Sequence, residues 1–181
     1  MGIKRKKVLV IAYACEPGKT SEPGVGWNFV KEISKFMEVT VLTRLNNKKA
    51  IESQQISSDV KFIYYDIPKS ILKYKKKIPF GIQLYYKVWQ WRAYACLKQK
   101  IKNKELSIDI IHHLTFGTTK NVPPIYKFKI PFIWGPIGGG DKIPFNFLKE
   151  MGFSAFISEC IYALMHFMSN VSPLAVLSRK L

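Results

Sequence analysis

Cys15-Glu16-Pro17-Gly18-Lys19-Thr20-Ser21-Glu22-Pro23-Gly24-Val25-Gly26-Trp27 is the stretch on which the fold turns. An unbroken apolar run precedes it, Val8-Leu9-Val10-Ile11-Ala12-Tyr13-Ala14. After it, Asn28 to Met37 places apolar residues at helical spacing (Val30, Ile33, Phe36, Met37). A short apolar run closed by Gly and Pro suits a strand buried on both faces, as in a parallel sheet. A Gly-rich loop at the carboxyl end of such a strand, opening a helix, lies where open α/β sheets bind ligands. Gly24 and Gly26 carry no Cβ, so a ligand is expected to approach the main chain around Gly24, Val25 and Gly26. The free N–H groups of the helix would favour its anionic oxygens.

Working outward, Val39-Thr40-Val41-Leu42-Thr43 and Val60 to Tyr65 read as further strands, with a polar loop and short helix over Asn46–Ser58 between them. Gly81 to Lys104 reads as a long helix. Ser107 to Leu114 is a fourth strand and its exit, and Pro131-Phe132-Ile133-Trp134 a fifth. Pro144–Glu150 and Phe153–Met168 read as helices, and Leu174–Leu177 as a sixth strand. Strands separated by helical or loop segments imply right-handed crossovers. The predicted class is therefore α/β: a doubly wound, mostly parallel, Rossmann-like sheet with helices on both faces.

Three motifs compete for the opening loop. Gly18-Lys19-Thr20 looks like the end of a P-loop, which would make the chain a nucleotide phosphotransferase, but the required first glycine falls on Tyr13, inside the strand. A dinucleotide fingerprint fails because its third glycine falls on Phe29, and no acid follows the second strand, which ends Thr43-Arg44. The third match is closer. Tyr13-Ala14-Cys15-Glu16-Pro17-Gly18, then Ser21 to Trp27, resembles the opening of a family 4 glycosyltransferase, a group with the two-domain GT-B fold. Pro131-Phe132-x-Trp134-Gly135-Pro136-x-Gly138-Gly139-Gly140 is similar to a second stretch of that family, more than a hundred residues downstream.

The resemblance implies that residues 1–181 are the N-terminal, acceptor-side domain of such an enzyme, with the C-terminal nucleotide-sugar domain absent. A nucleotide-diphosphate sugar would be co-substrate and a glycan or lipid-linked glycan the acceptor. No cofactor or metal is implied, and a separate donor-domain subunit could complete the site. The family often carries Asp-x-x-His at the end of its fourth strand with the histidine facing the donor sugar, which implicates His112 or its neighbour His113 after Asp109. Neighbours on a strand point to opposite faces, so one of the two is expected in the cleft, and the sequence leaves open which. Gly138 and Gly139 would line the same cleft. Lys19 and Arg44 would add positive charge near it or serve as solvated surface groups.

Composition constrains partners. Twenty-nine Lys and Arg against 12 Asp and Glu give a net charge of +17. That favours an anionic partner. Between Asp66 and Glu105 there is no acid at all, while Lys73, Lys75, Lys76, Lys77 and Arg92 alternate with aromatics including Trp89 and Trp91. Such a segment suits an anionic membrane surface, or equally a core helix with a solvated basic face. Nucleic acid ranks last, because no motif for it is present. Cys15, Cys96 and Cys160 are odd in number and far apart, which implies reduced thiols rather than a disulfide framework or zinc site. The expected location is cytoplasmic, peripheral on the inner face of the cell membrane. A non-catalytic membrane- or glycan-binding module is the alternative of a different class.

Overall fold

In the computed structural model, which describes residues 5–68, 81–118, 122–138, 144, 147, 150 and 152–171, the first apolar run becomes strand β1 (Lys7–Ile11). In chain order there follow α1 (Ser21–Ile33), β2 (Glu38–Thr43), a 3-10 turn (Leu45–Asn47) leading into α2 (Lys48–Glu52), and β3 (Val60–Tyr64). Then come α3 (Gly81–Lys102), β4 (Ile110–His113), a 3-10 turn (Pro124–Phe128), β5 (Phe132–Trp134) and α4 (Phe153–Val171). The strand expected at 174–177 lies outside the described residues, as does most of the helix expected at 144–150.

All five strands pair in parallel, in the order β3-β2-β1-β4-β5. β1 takes Val8 opposite Val39 of β2 on one side and opposite Ile110 of β4 on the other. Strand alternation divides its residues between two cores. Val8 and Val10 join Trp27 and Val30 of α1, Val39, Val41 and Ile51 of α2 on one face. Leu9 and Ile11 join Leu42, Ile111 and the α3 residues Tyr85, Tyr86, Trp89, Ala93 and Leu97 on the other. Helices therefore cover both faces, and the fold is the doubly wound, Rossmann-like class that the sequence predicts.

The chain divides into two compact units. Met1–Gly117 with Pro123–Pro136 holds the sheet; Thr118–Val122 with Ile137–Leu181 holds α4. Within the first unit, α1 starts seven residues earlier than its apolar spacing suggests, at Ser21. Pro23 sits in the first turn, where its missing N–H would have had no helical partner. Gly24 and Gly26 are consequently helical residues, not a loop.

Candidate functional site

Successive strands run outward in one direction from β1 to β3 and in the other from β4 to β5, so the order reverses between β1 and β4. Open α/β sheets bind ligands outside the carboxyl ends of their strands at such a reversal. Here that place is built from residues 12–16 after β1, the first turns of α1, and residues 114–117 after β4. The Ala14 N–H donates to Thr115 Oγ1 at 3.1 Å, and the Phe116 N–H donates to Glu22 Oε1 at 3.2 Å. The Glu16 N–H reaches the Pro23 carbonyl at 3.0 Å, folding the loop onto its own helix. These bonds tie the opening motif to the exit of β4.

The two glycines serve this closure. A Cβ on Gly26 would lie 2.2 Å from the Ala14 carbonyl oxygen and 3.2 Å from Thr115 Cγ2; one on Gly24 would lie 2.1 Å from the Lys19 carbonyl oxygen. Both glycines are buried. The expectation of bare main chain open to a ligand at Gly24 and Gly26 is corrected accordingly: the protein's own carbonyls occupy those approaches. Val25, between them, points outward and is 48% exposed. Gly138, in the second unit, is exposed and forms a parallel bridge with Thr118. Gly139 lies outside the described residues.

The histidines do point to opposite faces of β4. His112 lies on the α1 side, its ring edge-on to Phe29 with centroids 4.8 Å apart, and its Nε2 donates to the Gly135 carbonyl at 2.8 Å. Burial pushes its pKa down, opposed by that hydrogen bond. His113 lies on the α3 side with Nε2 2.9 Å from Tyr86 Oη, and burial, aided by His112, pushes its pKa down to about 3. Relative exposure is 7% for His112 and 1% for His113. Both are thus neutral near pH 7, and neither presents an open imidazole to a cleft, contrary to the sequence expectation. Phe29 and Tyr86, remote in sequence, cover them. A cavity of about 10 Å³ beside His113, lined also by Trp89, Gln90, Pro123 and Pro124, has room for about one water and none for a sugar.

A charged cluster that the sequence does not reveal lies at the ends of β2 and β3. The Arg44 guanidinium carbon stands 4.9 Å from the centre of the Tyr13 ring and 5.7 Å from that of Tyr85. Arg44 Nε is 3.6 Å from Asp66 Oδ2, and the Tyr85 hydroxyl donates to Asp66 Oδ1. Burial and the bonded Asp66 carboxylate both push the Tyr85 pKa upward. Arg44 is therefore a paired, largely buried cation rather than a surface charge. The available signal was weak: an arginine directly after one strand and, after the next, the last acid before a long acid-free stretch. Lys19, by contrast, is exposed, 3.9 Å from Glu16.

The basic aromatic segment separates into two faces of α3. Trp89 has no exposed surface, and its indole N–H donates to the Tyr65 carbonyl at 2.9 Å, so its assignment to a membrane face is corrected: it fills the core between helix and sheet. Trp91 is 49% exposed, with Lys127 Nζ 4.5 Å from its ring centre. Arg92 is exposed, its Nε 3.4 Å from Tyr65 Oη. Lys73, Lys75, Lys76 and Lys77 lie outside the described residues. Burial pushes the Cys15 thiol up to about 12, which leaves it a packing residue rather than a nucleophile. Among the described residues no group of three His, Cys, Asp or Glu could hold a metal ion, and no helix is long and apolar enough to cross a membrane.

Compared with protein-family models, with curated proteins and with solved structures, the chain matches none.

Proposed function

We propose that this chain forms the acceptor-side wall of a glycosyltransferase, one that moves a sugar from a nucleoside-diphosphate donor to a hydroxyl of a glycan or lipid-linked glycan. The observation that carries the reading is the meeting of three sequence motifs at one sheet edge. The Tyr13–Trp27 motif is bonded to Thr115 and Phe116 after β4; the Asp109-x-x-His112 motif runs from just before β4 into it; and His112 holds Gly135 of the third. Segments more than a hundred residues apart in sequence thus converge at the strand-order reversal, where this class of sheet takes ligands.

In this reading His112 is a positioning residue. Its neutral ring fixes the Gly135 carbonyl and so the path of the chain after β5. The glycines act likewise: they let α1 seat its first turns against the end of β1. Nucleotide binding would come from a second domain, on a longer chain or a separate subunit. Catalysis would rest on orientation of the acceptor and on offsetting charge at the departing diphosphate. The net charge of +17 supports a cytoplasmic, peripheral position on an anionic membrane that carries the acceptor. A P-loop phosphotransferase finds less support, since Lys19 lies exposed beside Glu16 and the glycines face internal carbonyls.

The test mixes the chain with the product of the neighbouring reading frame and follows labelled sugar from nucleotide donors into lipid-extractable acceptor. Transfer should require both components, and His112→Ala should lower it at least about tenfold, the scale typical of a positioning contact. Turnover indifferent to omission of the chain would remove the proposal. Binding of lipid-linked glycan without transfer would assign the non-catalytic module instead.

A further inference from the structure

Phe153, Phe156, Ile157, Cys160, Ile161 and Leu164 of α4 fall at i, i+3, i+4, i+7, i+8 and i+11, an arc of roughly 140° on one side of the helix. All are exposed; Phe153 shows 80% of its surface and Leu164 60%. A helix that places its large apolar side chains on one stripe ordinarily buries that stripe. The other side carries Ser154 and Ser158, both exposed, with the Ser158 hydroxyl donating to the Ser154 carbonyl at 3.0 Å. Glu159, half-buried, also lies outside the stripe, and no Lys or Arg occurs in α4, so attraction to an anionic partner must come from the rest of the chain. That attraction is large and of one sign: 29 basic residues against 12 acidic.

We propose that the α4 stripe lies in the interfacial layer of an anionic lipid bilayer. Basic residues elsewhere bring the chain to the surface, and the phenylalanines and aliphatic side chains of α4 sink to the acyl boundary, about 5–10 Å deep. The helix lies along the surface rather than crossing it. This goes beyond the transferase reading, because it names the inserted element and relocates it from the basic aromatic segment between Asp66 and Glu105, which includes α3. It stands or falls on lipid binding alone, whatever the outcome of the transfer assay.

Cys160 provides the probe, being the exposed cysteine of the three within the stripe. The full chain carrying Cys96→Ser is labelled there with an environment-sensitive dye and mixed with vesicles of phosphatidylcholine alone or with phosphatidylglycerol at about 7:3. The expected result is flotation with the anionic vesicles, weakened by salt, and a blue shift of the dye on binding. Phe156→Asp with Ile161→Asp should lower the bound fraction at least tenfold while circular dichroism and monomer mass stay unchanged. Recovery in the soluble fraction with both vesicle types would overturn the proposal. So would flotation with the dye still in water, or binding untouched by the double variant. Self-association abolished by that variant, without lipid binding, would show that a second copy covers the stripe and would equally overturn it.

Discussion

α3 and α4 are both long helices rich in large apolar side chains, yet they bury different shares of them. α3 turns Tyr85, Tyr86, Trp89, Ala93 and Leu97 onto the sheet, leaving Ile82, Leu84 and Trp91 outside among Lys87, Lys98 and Lys102. α4 leaves Phe153, Phe156, Ile161 and Leu164 in solvent. The periodicity is helical in both, so the pattern announces a buried stripe without naming what buries it. For α3 the partner is β1 and β4, present in the same chain. For α4 the stripe has the same spacing and a different physical situation, and this is why it, rather than the more basic α3, is the better candidate for an external apolar partner.

The sharpest way to break this contrast is at Trp89. Its side chain is fully enclosed, packs edge-on to Tyr13 at 5.0 Å and bonds the Tyr65 carbonyl. Trp89→Ala should cost about 3–5 kcal/mol in urea unfolding followed by far-UV circular dichroism. Trp91→Ala, two residues on and outside, should cost no more than about 1 kcal/mol, mostly the contact with Lys127. Equal losses at the two positions would mean that α3 does not divide into an inner and an outer face.

The same pair shows what the sequence discloses and what it withholds. β-branched and apolar runs bounded by turns locate all five described strands: β1, β2 and β4 are largely buried on both faces and must be apolar, while the edge strands β3 and β5, only partly buried, keep β-branched and aromatic residues. The extent of α3 is legible for a similar reason. Its inner face is not, since Trp89 and Trp91 differ only in direction around the helix, and direction matters only once a sheet is beside it. The start of α1 is obscured because Pro23, Gly24 and Gly26 read as breakers; their fit in the helix shows only where the Lys19 carbonyl, local in sequence, and the Ala14 carbonyl and Thr115, brought there by the fold, leave no room for a Cβ. The histidines show the same division. Alternation puts them on opposite faces, but their burial comes from Phe29 and Tyr86. The Arg44–Asp66 pair joins the ends of neighbouring strands, an adjacency fixed by strand order.

Acid should act on the α3 interface with a calculable sign. His113 faces Tyr86, with His112 as its titrating neighbour on the strand, and its folded pKa is about 3 against an ordinary 6.5. Between these values the unfolded chain binds a proton that the folded chain refuses. Stability is therefore fully present above pH 6.5 and lost as pH falls toward 3, with a slope approaching about 1.4 kcal/mol per pH unit. From pH 6.5 to about 4.5 the loss should be about 2 kcal/mol. His112, also shifted down, adds in the same direction. His113→Gln should flatten the dependence of the urea midpoint on pH, leaving the His112 share. An unchanged slope would mean that His113 is reachable by protons in the folded protein, and that α3 seals its face less completely than its buried residues imply.

The smallest expected effect tests the other helix. Phe and Ser have similar helix propensity, so Phe156→Ser changes apolar surface with little change in backbone preference. If the α4 stripe meets only solvent in the free chain, the substitution removes no internal contact, and thermal unfolding should move by no more than about 0.5 kcal/mol. The same substitution should act measurably once vesicles are present, because only then does Phe156 leave water. A loss of 2 kcal/mol or more without lipid, on the scale of a core truncation, would place Phe156 in a packed interface of the free protein. α4 would then resemble α3, and its stripe would need no external partner.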